Sequence, residues 1–439
     1  MELDNTSTFY NWRSGLWRLS PLFFFALFYI GSSLVAGDFY ATPIIITFLL
    51  TLIYATFTLQ GKPIQERLNI ISEGAGEKNI MLMIWIFVLA GSFAAGAKYI
   101  GAIDATVSLA LSILPSNFLL AGTFVASCFL SLSMGTSVGT IAALTPIAAG
   151  LAPCIGTPLP MMVGLVVGGA YFGDNLSFIS DTTIMATRTQ GCKMKDKFRT
   201  NFRIVLPAAL ICIAIYILRG QGTEIDVDLA KESFNLWLVL PYLLVLGTAI
   251  AGVDVLIALL IGILSTAIIG VWQGSFEVHQ WMKAMSDGVL GLGELIIVTL
   301  MAGGLMSILK HNGGIDYIVN QLFAKVKSRR KGEFSIAGVV FLTNLCTANN
   351  TISILTVGSI AKEIAQKCGV DPRKSASLLD TFSCLSQSII PYGAQLLIAS
   401  NLAHIGTLEI IPYLFYPYLM AIFVITSIVI GYPKLKNQA

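Results

Sequence analysis

The chain has 439 residues, of which 55% are hydrophobic and 12% charged, against about 25% charged in a soluble protein. Its mean hydropathy is +0.79, so most of it belongs in a lipid bilayer. A net charge of +3 without any basic–aromatic cluster excludes nucleic-acid binding.

In chain order, apolar segments fall near 20–36, 40–60 and 80–97, followed by a shorter amphipathic stretch at 104–114. Two runs interrupted by polar residues come next, at 118–152 and 158–187, and then a long helix at 202–219. The second half repeats the order at 234–250, 253–272, 290–309, 315–325 (amphipathic), 334–366 and 375–402 (both interrupted), and 411–431. A spanning helix needs about 20 apolar residues. The 118–152 run is therefore either a re-entrant helix–loop–helix or two short spans. The first apolar run, behind Arg13 and Arg18, has the look of a signal peptide. It corresponds to the internal segment 234–252, however, and is expected to remain as a membrane helix.

The two halves, 1–220 and 221–439, also repeat in sequence. Residues 89–104 (LAGSFAAGAKYIGAID) match 301–316 (MAGGLMSILKHNGGID) at Ala90/Ala302, Gly91/Gly303, Lys98/Lys310, Gly101/Gly313, Ile103/Ile315 and Asp104/Asp316. Nearly the same shift lays 133–141 over 346–354. Basic residues cluster at 188–203 (Arg188, Lys193, Lys195, Lys197, Arg199, Arg203) and at 325–331, and recur in the 62–78 loop and at Lys434 and Lys436. The positive-inside rule puts all of these in the cytoplasm and the acidic 224–232 loop outside. Five crossings per half, with both termini cytoplasmic, satisfy every assignment, and an odd count inverts the second half. The expected fold is thus an all-α polytopic membrane protein of two inverted-topology repeats, with re-entrant hairpins and discontinuous helices. Such halves suit a carrier whose central site opens to each side in turn.

The most informative polar cluster is GGAYFGDNLSFISDTT, 168–183, in the middle of the 158–187 apolar run. Asp174 and Asp181 lie there among Asn175, Ser177, Ser180 and Thr182, and Gly168, Gly169 and Gly173 are expected to let the helix unwind. An acid at membrane depth costs several kcal/mol unless it faces protein or a water-filled cavity, and broken backbone is confined to the same places. The competing reading is that each Asp caps a half-helix, which suits Asp181, or pairs with a buried base. No Lys or Arg precedes Arg188 in the adjoining stretch, so ion or proton binding is the favoured role. Partner ligands are expected from the hairpin tips, at Thr136 and Ser137 and at Asn349, Asn350 and Thr351. A second broken helix, interrupted at Pro391–Tyr392–Gly393, adds Asp380, Gln387, Tyr392 and Gln395. For any single hydroxyl, helix packing explains its presence as well as ligation does; the clustering at four related breaks favours a site.

Oxygen-rich ligands with no cation among them suit a hard cation. Taking a carboxylate out of water favours its protonated form, so one site holding either Na⁺ or H⁺ is sufficient for antiport. Other polar groups carry less weight. Glu294 is either a second titrating acid or a satisfied one. Lys98 and Lys310 are explained by snorkelling, and Asp104 and Asp316 by capping the helices that follow. The seven scattered cysteines fit free thiols. His279, His311 and His404 lack metal-ligand spacing, and no P-loop, nucleophile elbow or zinc motif is present. The chain is read as a carrier and not an enzyme, with no cofactor beyond its transported ions.

The motif FGDNLSFISDTT, followed by ATRTQGC, resembles the signature of the NhaC family of Na⁺/H⁺ antiporters, and IIPYGAQLL (389–397) resembles its second-half counterpart. The resemblance spans most of the chain. It implies a scaffold and a mobile transport domain, a homodimer, and an elevator-like movement. Phe178 departs from the pattern, which carries Pro there. The resulting expectation is a Na⁺/H⁺ antiporter of the cytoplasmic (inner) membrane, with Asp174 and Asp181 binding the exchanged ions. The second reading is a Na⁺- or H⁺-coupled carrier of an organic acid or amino acid, its solute bound by Asn349, Asn350, Gln387, Tyr392 and Gln395.

Overall fold

A computed structural model describes residues 12–36, 43–113, 115–178, 180–221, 235–251, 253–274, 277–314, 317, 328–433 and 435. The acidic 224–232 loop, Asp316, nearly all of the 315–325 stretch, Lys325, Lys327, Lys434 and Lys436 lie outside the described residues. Among those described there are helices and no strands. In the first half they are α1 (Trp12–Ala36), α2 (Ile44–Thr56), α3 (Ile64–Ala75), α4 (Lys78–Tyr99), α5 (Ala102–Ile113), α6 (Leu119–Met134), α7 (Ser137–Cys154), α8 (Leu159–Leu176), α9 (Asp181–Gln190) and α10 (Met194–Gly220). The second half supplies α11 (Leu236–Ile250), α12 (Val255–Trp272), α13 (Val278–Gly291), α14 (Gly293–His311), α15 (Arg329–Thr347), α16 (Asn350–Cys368), α17 (Pro372–Ile389), α18 (Ala394–Ala403), α19 (Thr407–Ile410) and α20 (Phe415–Val429).

Six of the described helices are long and apolar enough to cross a membrane, or up to seven if a pair bent by 100° after Ala403 forms one span. Beside them stand apolar helices of 10–17 residues, such as α2, α6 and α20. Length alone therefore does not return five crossings per half. Helices α3 and α13 fall where the apolar pattern left connections, because both are polar enough to escape it.

The chain divides into two compact units, Met1–Met81 with Ile297–Ala324 and Leu82–Ile296 with Lys325–Ala439. Each unit draws on both sequence halves. In the first, α3 meets α14 so closely that a Cβ on Gly74 would lie 2.3 Å from the Gly303 carbonyl oxygen. In the second, α4 meets α13 in the same way, with a Gly91 Cβ 2.5 Å from the Gly288 oxygen. Gly91 and Gly303 are partners in the sequence repeat, so each crossing is the other's counterpart.

The repeat is clearest in the second unit. A shift of 213 residues carries α8 (Leu159–Leu176) onto α17 (Pro372–Ile389), α9 (Asp181–Gln190) onto α18 (Ala394–Ala403), and the start of α7 (Ser137) onto that of α16 (Asn350). Both interrupted runs ahead of these are helical hairpins with matching tips. Gly135 and Ala348 take the left-handed conformation that ends α6 and α15. Thr136 and Asn349 then cap α7 and α16, accepting from the Gly139 and Ile352 amides. Even a side-chain bond repeats: Ser131 donates to the Ala170 carbonyl at 2.5 Å and Asn344 to that of Ser383 at 2.9 Å.

The glycines of the 168–183 cluster act differently from expectation. Helix α8 runs unbroken through Gly168, Gly169 and Gly173 and parts only after Leu176. Their missing side chains instead let other helices lie against it, α6 at Gly169 and Gly173 and α20 at Gly168. A Cβ on Gly173 would sit 2.4 Å from the Cys128 oxygen and 2.5 Å from the Leu132 amide nitrogen. Both clashes are with backbone, so no side-chain rotation relieves them. Gly173→Ala is expected to cost about 1–3 kcal/mol, read as a fall in the thermal midpoint in detergent. Gly247→Ala, with nothing within 4 Å of the new Cβ, should leave the midpoint unchanged or raise it slightly.

Candidate functional site

The second unit brings both breaks and both hairpin tips together. Asp174 stands in the last turn of α8, 4% exposed. Its Oδ2 accepts from Ser137 Oγ at 2.7 Å, from the first residue of α7. Its Oδ1 accepts from Ser180 Oγ at 2.6 Å, from the N-cap of α9. Ser180 Oγ and Thr182 Oγ1 share a further hydrogen bond of 2.9 Å. Two helix N-termini thus face one carboxylate, an arrangement that suits negative charge. A chain of side chains leads from it to the second break. Gln395 donates to Ser137 Oγ (3.1 Å), and Gln387 donates to Gln395 Oε1 (3.0 Å) and to the Ala348 carbonyl (2.8 Å). Gln387 is the residue that the 213-residue shift places opposite Asp174.

Asp380 belongs to a second cluster, and its partner corrects an expectation. Lys197, assigned above to a cytoplasmic loop, is fully buried and forms an ion pair with Asp380 Oδ2. Its ammonium also donates to the Asn175 carbonyl at 2.6 Å and to Thr183 Oγ1 at 3.0 Å. Thr183 Oγ1 donates in turn to Asp380 Oδ2 at 3.1 Å. Asn201, one turn on, donates to both the Asn175 carbonyl (3.0 Å) and Asn175 Oδ1 (2.8 Å), and accepts from Ser377 and Thr381 at 3.0 and 2.9 Å. A base is therefore built into the break, contrary to the sequence reading. Charge counting missed it because α10 begins at Met194, well before its apolar core. The available signal was the helical spacing of Lys197, Asn201, Ile204 and Ala208, which carries the buried face of α10 back through the charged segment.

The remaining predicted residues divide in two. Asp181, the first residue of α9, is exposed and does not join Asp174 among the hydrogen bonds described. Ser177 Oγ donates to the Leu132 carbonyl at 2.7 Å, which ties the break to α6. Thr136 and Asn349 cap their helices, Asn350 Oδ1 accepts from the Thr351 amide (3.1 Å), and Tyr392 donates to the Leu345 carbonyl (2.7 Å). These side chains shape the two tips and the breaks. Phe178, 46% exposed in the first break, stacks on Phe198 with centroids 4.9 Å apart. Among the described residues no three His, Cys, Asp or Glu side chains converge as a metal cluster would require. Lys98 and Asp104, together with Asp287 and His404, line a separate cavity of about 580 Å³.

A half-helix ending on a buried carboxylate, inside a bundle of apolar spans, defines a multi-pass membrane transporter. The sequence pattern of the Na⁺/H⁺ antiporter family matches residues 19–221 and 232–433, and the chain belongs to that family. It is 26% identical over 397 residues to the Na⁺/H⁺ antiporter NhaC of Bacillus subtilis (strain 168), covering 82% of this chain and 85% of that one. The malate-2H⁺/Na⁺-lactate antiporter of the same organism is 23% identical over 77% of this chain and 78% of its own. Among solved structures, the YdaH transporter of Alcanivorax borkumensis aligns with 89% of this chain and 98% of its own, at 14% identity and a TM-score of 0.44.

Asn201→Leu removes donors and acceptors from four buried partners without changing side-chain volume much. It is expected to cost about 1–3 kcal/mol or more, measured as a lowered thermal midpoint of the purified protein.

Proposed function

We propose that the protein exchanges Na⁺ for H⁺ across the cytoplasmic membrane, with Asp174 as the group that both ions share. The observation that carries this reading is the set of side chains that donate to Asp174: two hydroxyls, Ser137 and Ser180, and among the described residues no cationic group. A hydroxyl has one hydrogen to donate and two lone pairs to offer. It donates to the bare carboxylate, accepts from the protonated one, or turns a lone pair toward a cation held by the same oxygens. Na⁺ would bind Asp174 with Ser137, Ser180 and Thr182, all hard oxygen donors. Proton and Na⁺ then exclude each other. Exclusive occupancy combined with access from one side at a time gives antiport.

The two breaks and tips supply the second requirement. Short half-helices meeting around a fixed site move as units, which supports inverted halves that rock or slide to expose Asp174 first to one face and then to the other. Homodimeric assembly, an elevator-like shift and cytoplasmic termini fit the same scheme. Asp181 sits outside the shared site, as a rim charge that a cation meets on approach.

A second reading takes support from Gln387 Oε1 and Asn349 Nδ2, an acceptor and a donor that are buried without hydrogen-bond partners among the described residues. A hydroxy acid or amino acid bound at the second break would satisfy both, and one relative is named for malate and lactate. Proteoliposomes carrying a trapped pH dye separate the cases. Asp174→Asn should reduce Na⁺-driven proton movement to that of empty liposomes, and Asp181→Asn should leave most of it. Ser137→Ala should weaken apparent Na⁺ affinity about tenfold, the loss of one hydrogen-bonding oxygen at a charged group. An organic acid required for any Na⁺-dependent flux would instead favour the second reading.

A further inference from the structure

Asp174 is followed directly by Asn175, whose carbonyl oxygen accepts from Lys197 Nζ at 2.6 Å, and the same ammonium pairs with Asp380, so one buried ammonium links the second acid to the turn that carries the first. That ammonium is not free to choose between the two. Its three donors are taken by Asp380 Oδ2, the Asn175 carbonyl and Thr183 Oγ1, and the side chain has no exposed surface through which to swing. Lys197 thus cancels Asp380 and acts on Asp174 only through its field. Two carboxylates and one ammonium leave one negative charge, and that charge stands on the carboxylate whose partners are hydroxyls. Other charges are held elsewhere. Asp181 and Arg188 are exposed, and buried Lys374 donates to Ser427 Oγ and the Tyr432 carbonyl.

We infer that Lys197 sets the valence of the cargo without touching it, restricting the site to monovalent cations. This rests on the reading of Asp174 as the shared ion site. A single buried negative charge is neutralised by Na⁺ or by a proton, whereas a divalent ion would leave a positive charge in a poorly solvated interior, in addition to its larger dehydration cost. Without the ammonium, Asp174 and Asp380 would leave two uncompensated buried negative charges, a balance that favours a divalent cation over a monovalent one.

A charge series tests the assignment, with Na⁺ and Ca²⁺ each titrated against the thermal midpoint and Ca²⁺ added as an inhibitor of exchange. The wild type should be stabilised by Na⁺ and indifferent to Ca²⁺. Lys197→Met, which adds one net negative charge, should respond to Ca²⁺ at least about tenfold more tightly than wild type and be blocked by it. Asp380→Asn, which removes the remaining net charge, should lose at least about tenfold in Na⁺ affinity although Asp380 is not a ligand. The double variant Lys197→Met/Asp380→Asn restores the original count. It should recover Na⁺ affinity to within a few-fold of wild type and ignore Ca²⁺. If Lys197→Met does not fold, the comparison of Asp380→Asn with the double variant decides. A double variant no better than Asp380→Asn, or a wild type that binds Ca²⁺ as it binds Na⁺, overturns the inference. Asp174→Asn in parallel keeps the two layers apart: a Na⁺ response surviving it refutes the ion-site reading itself, whatever the series shows.

Discussion

A helix that comes apart within a bilayer strands carbonyl groups where water cannot reach them, and each one left bare is costly. In this protein the Asn175 carbonyl, at the end of α8, receives two donors from α10, Lys197 and Asn201. The ammonium also opposes the negative end of the α8 dipole, and Asp380 on α17 neutralises the ammonium. One interaction thus fastens three helices and permits the break. It also determines what is left over, because with Asp380 engaged by Lys197, the described side chains that donate to Asp174 are the hydroxyls of Ser137 and Ser180. The ion chemistry proposed for the site follows from that division of labour between two buried acids.

The halves share a framework and differ in charge. Hairpin, capped tip, helix, break and half-helix recur at a constant spacing, yet the position of Asp174 in the first half is Gln387 in the second. An amide at that place reaches Gln395 and the Ala348 carbonyl, fixing the opposite tip without contributing charge. The repeat therefore supplies a pair of matched ends, of which the first ends on a carboxylate and the second on an amide. Small residues complete the framework. Gly74 with Gly303 and Gly91 with Gly288 bring pairs of helices to backbone contact, the packing that membrane helices use in place of a hydrophobic drive.

Much of this was legible in the residues. The apolar runs located the long helices. Pro391–Tyr392–Gly393 marked the second break, the polar cluster marked the first, and the internal repeat anticipated the matching tips. Four things were not legible, each for a physical reason. Lys197 was assigned to a cytoplasmic segment because a charge count weighs basic residues without asking which helical face they occupy. Gly168, Gly169 and Gly173 were read as unwinding signals, but in a helix end buried against α6 and α20 the absence of a side chain serves close approach. Asp174 and Asp181 were treated as a pair on sequence proximity, and a break between them points one inward and leaves the other exposed. Helices α3 and α13 went unseen because polar sequence hides a helix from a hydropathy scan.

The direct test of a carboxylate shared between Na⁺ and H⁺ is the proton balance of Na⁺ binding itself. Calorimetric titration of the purified protein with Na⁺, repeated in buffers of different ionisation enthalpy, reports protons released as the cation enters. Release that follows Na⁺ occupancy near neutral pH and disappears in Asp174→Asn is the expected result. Na⁺ binding with a heat that is the same in every buffer would show that cation and proton do not compete for one group, and the proposed exchange at Asp174 would be wrong.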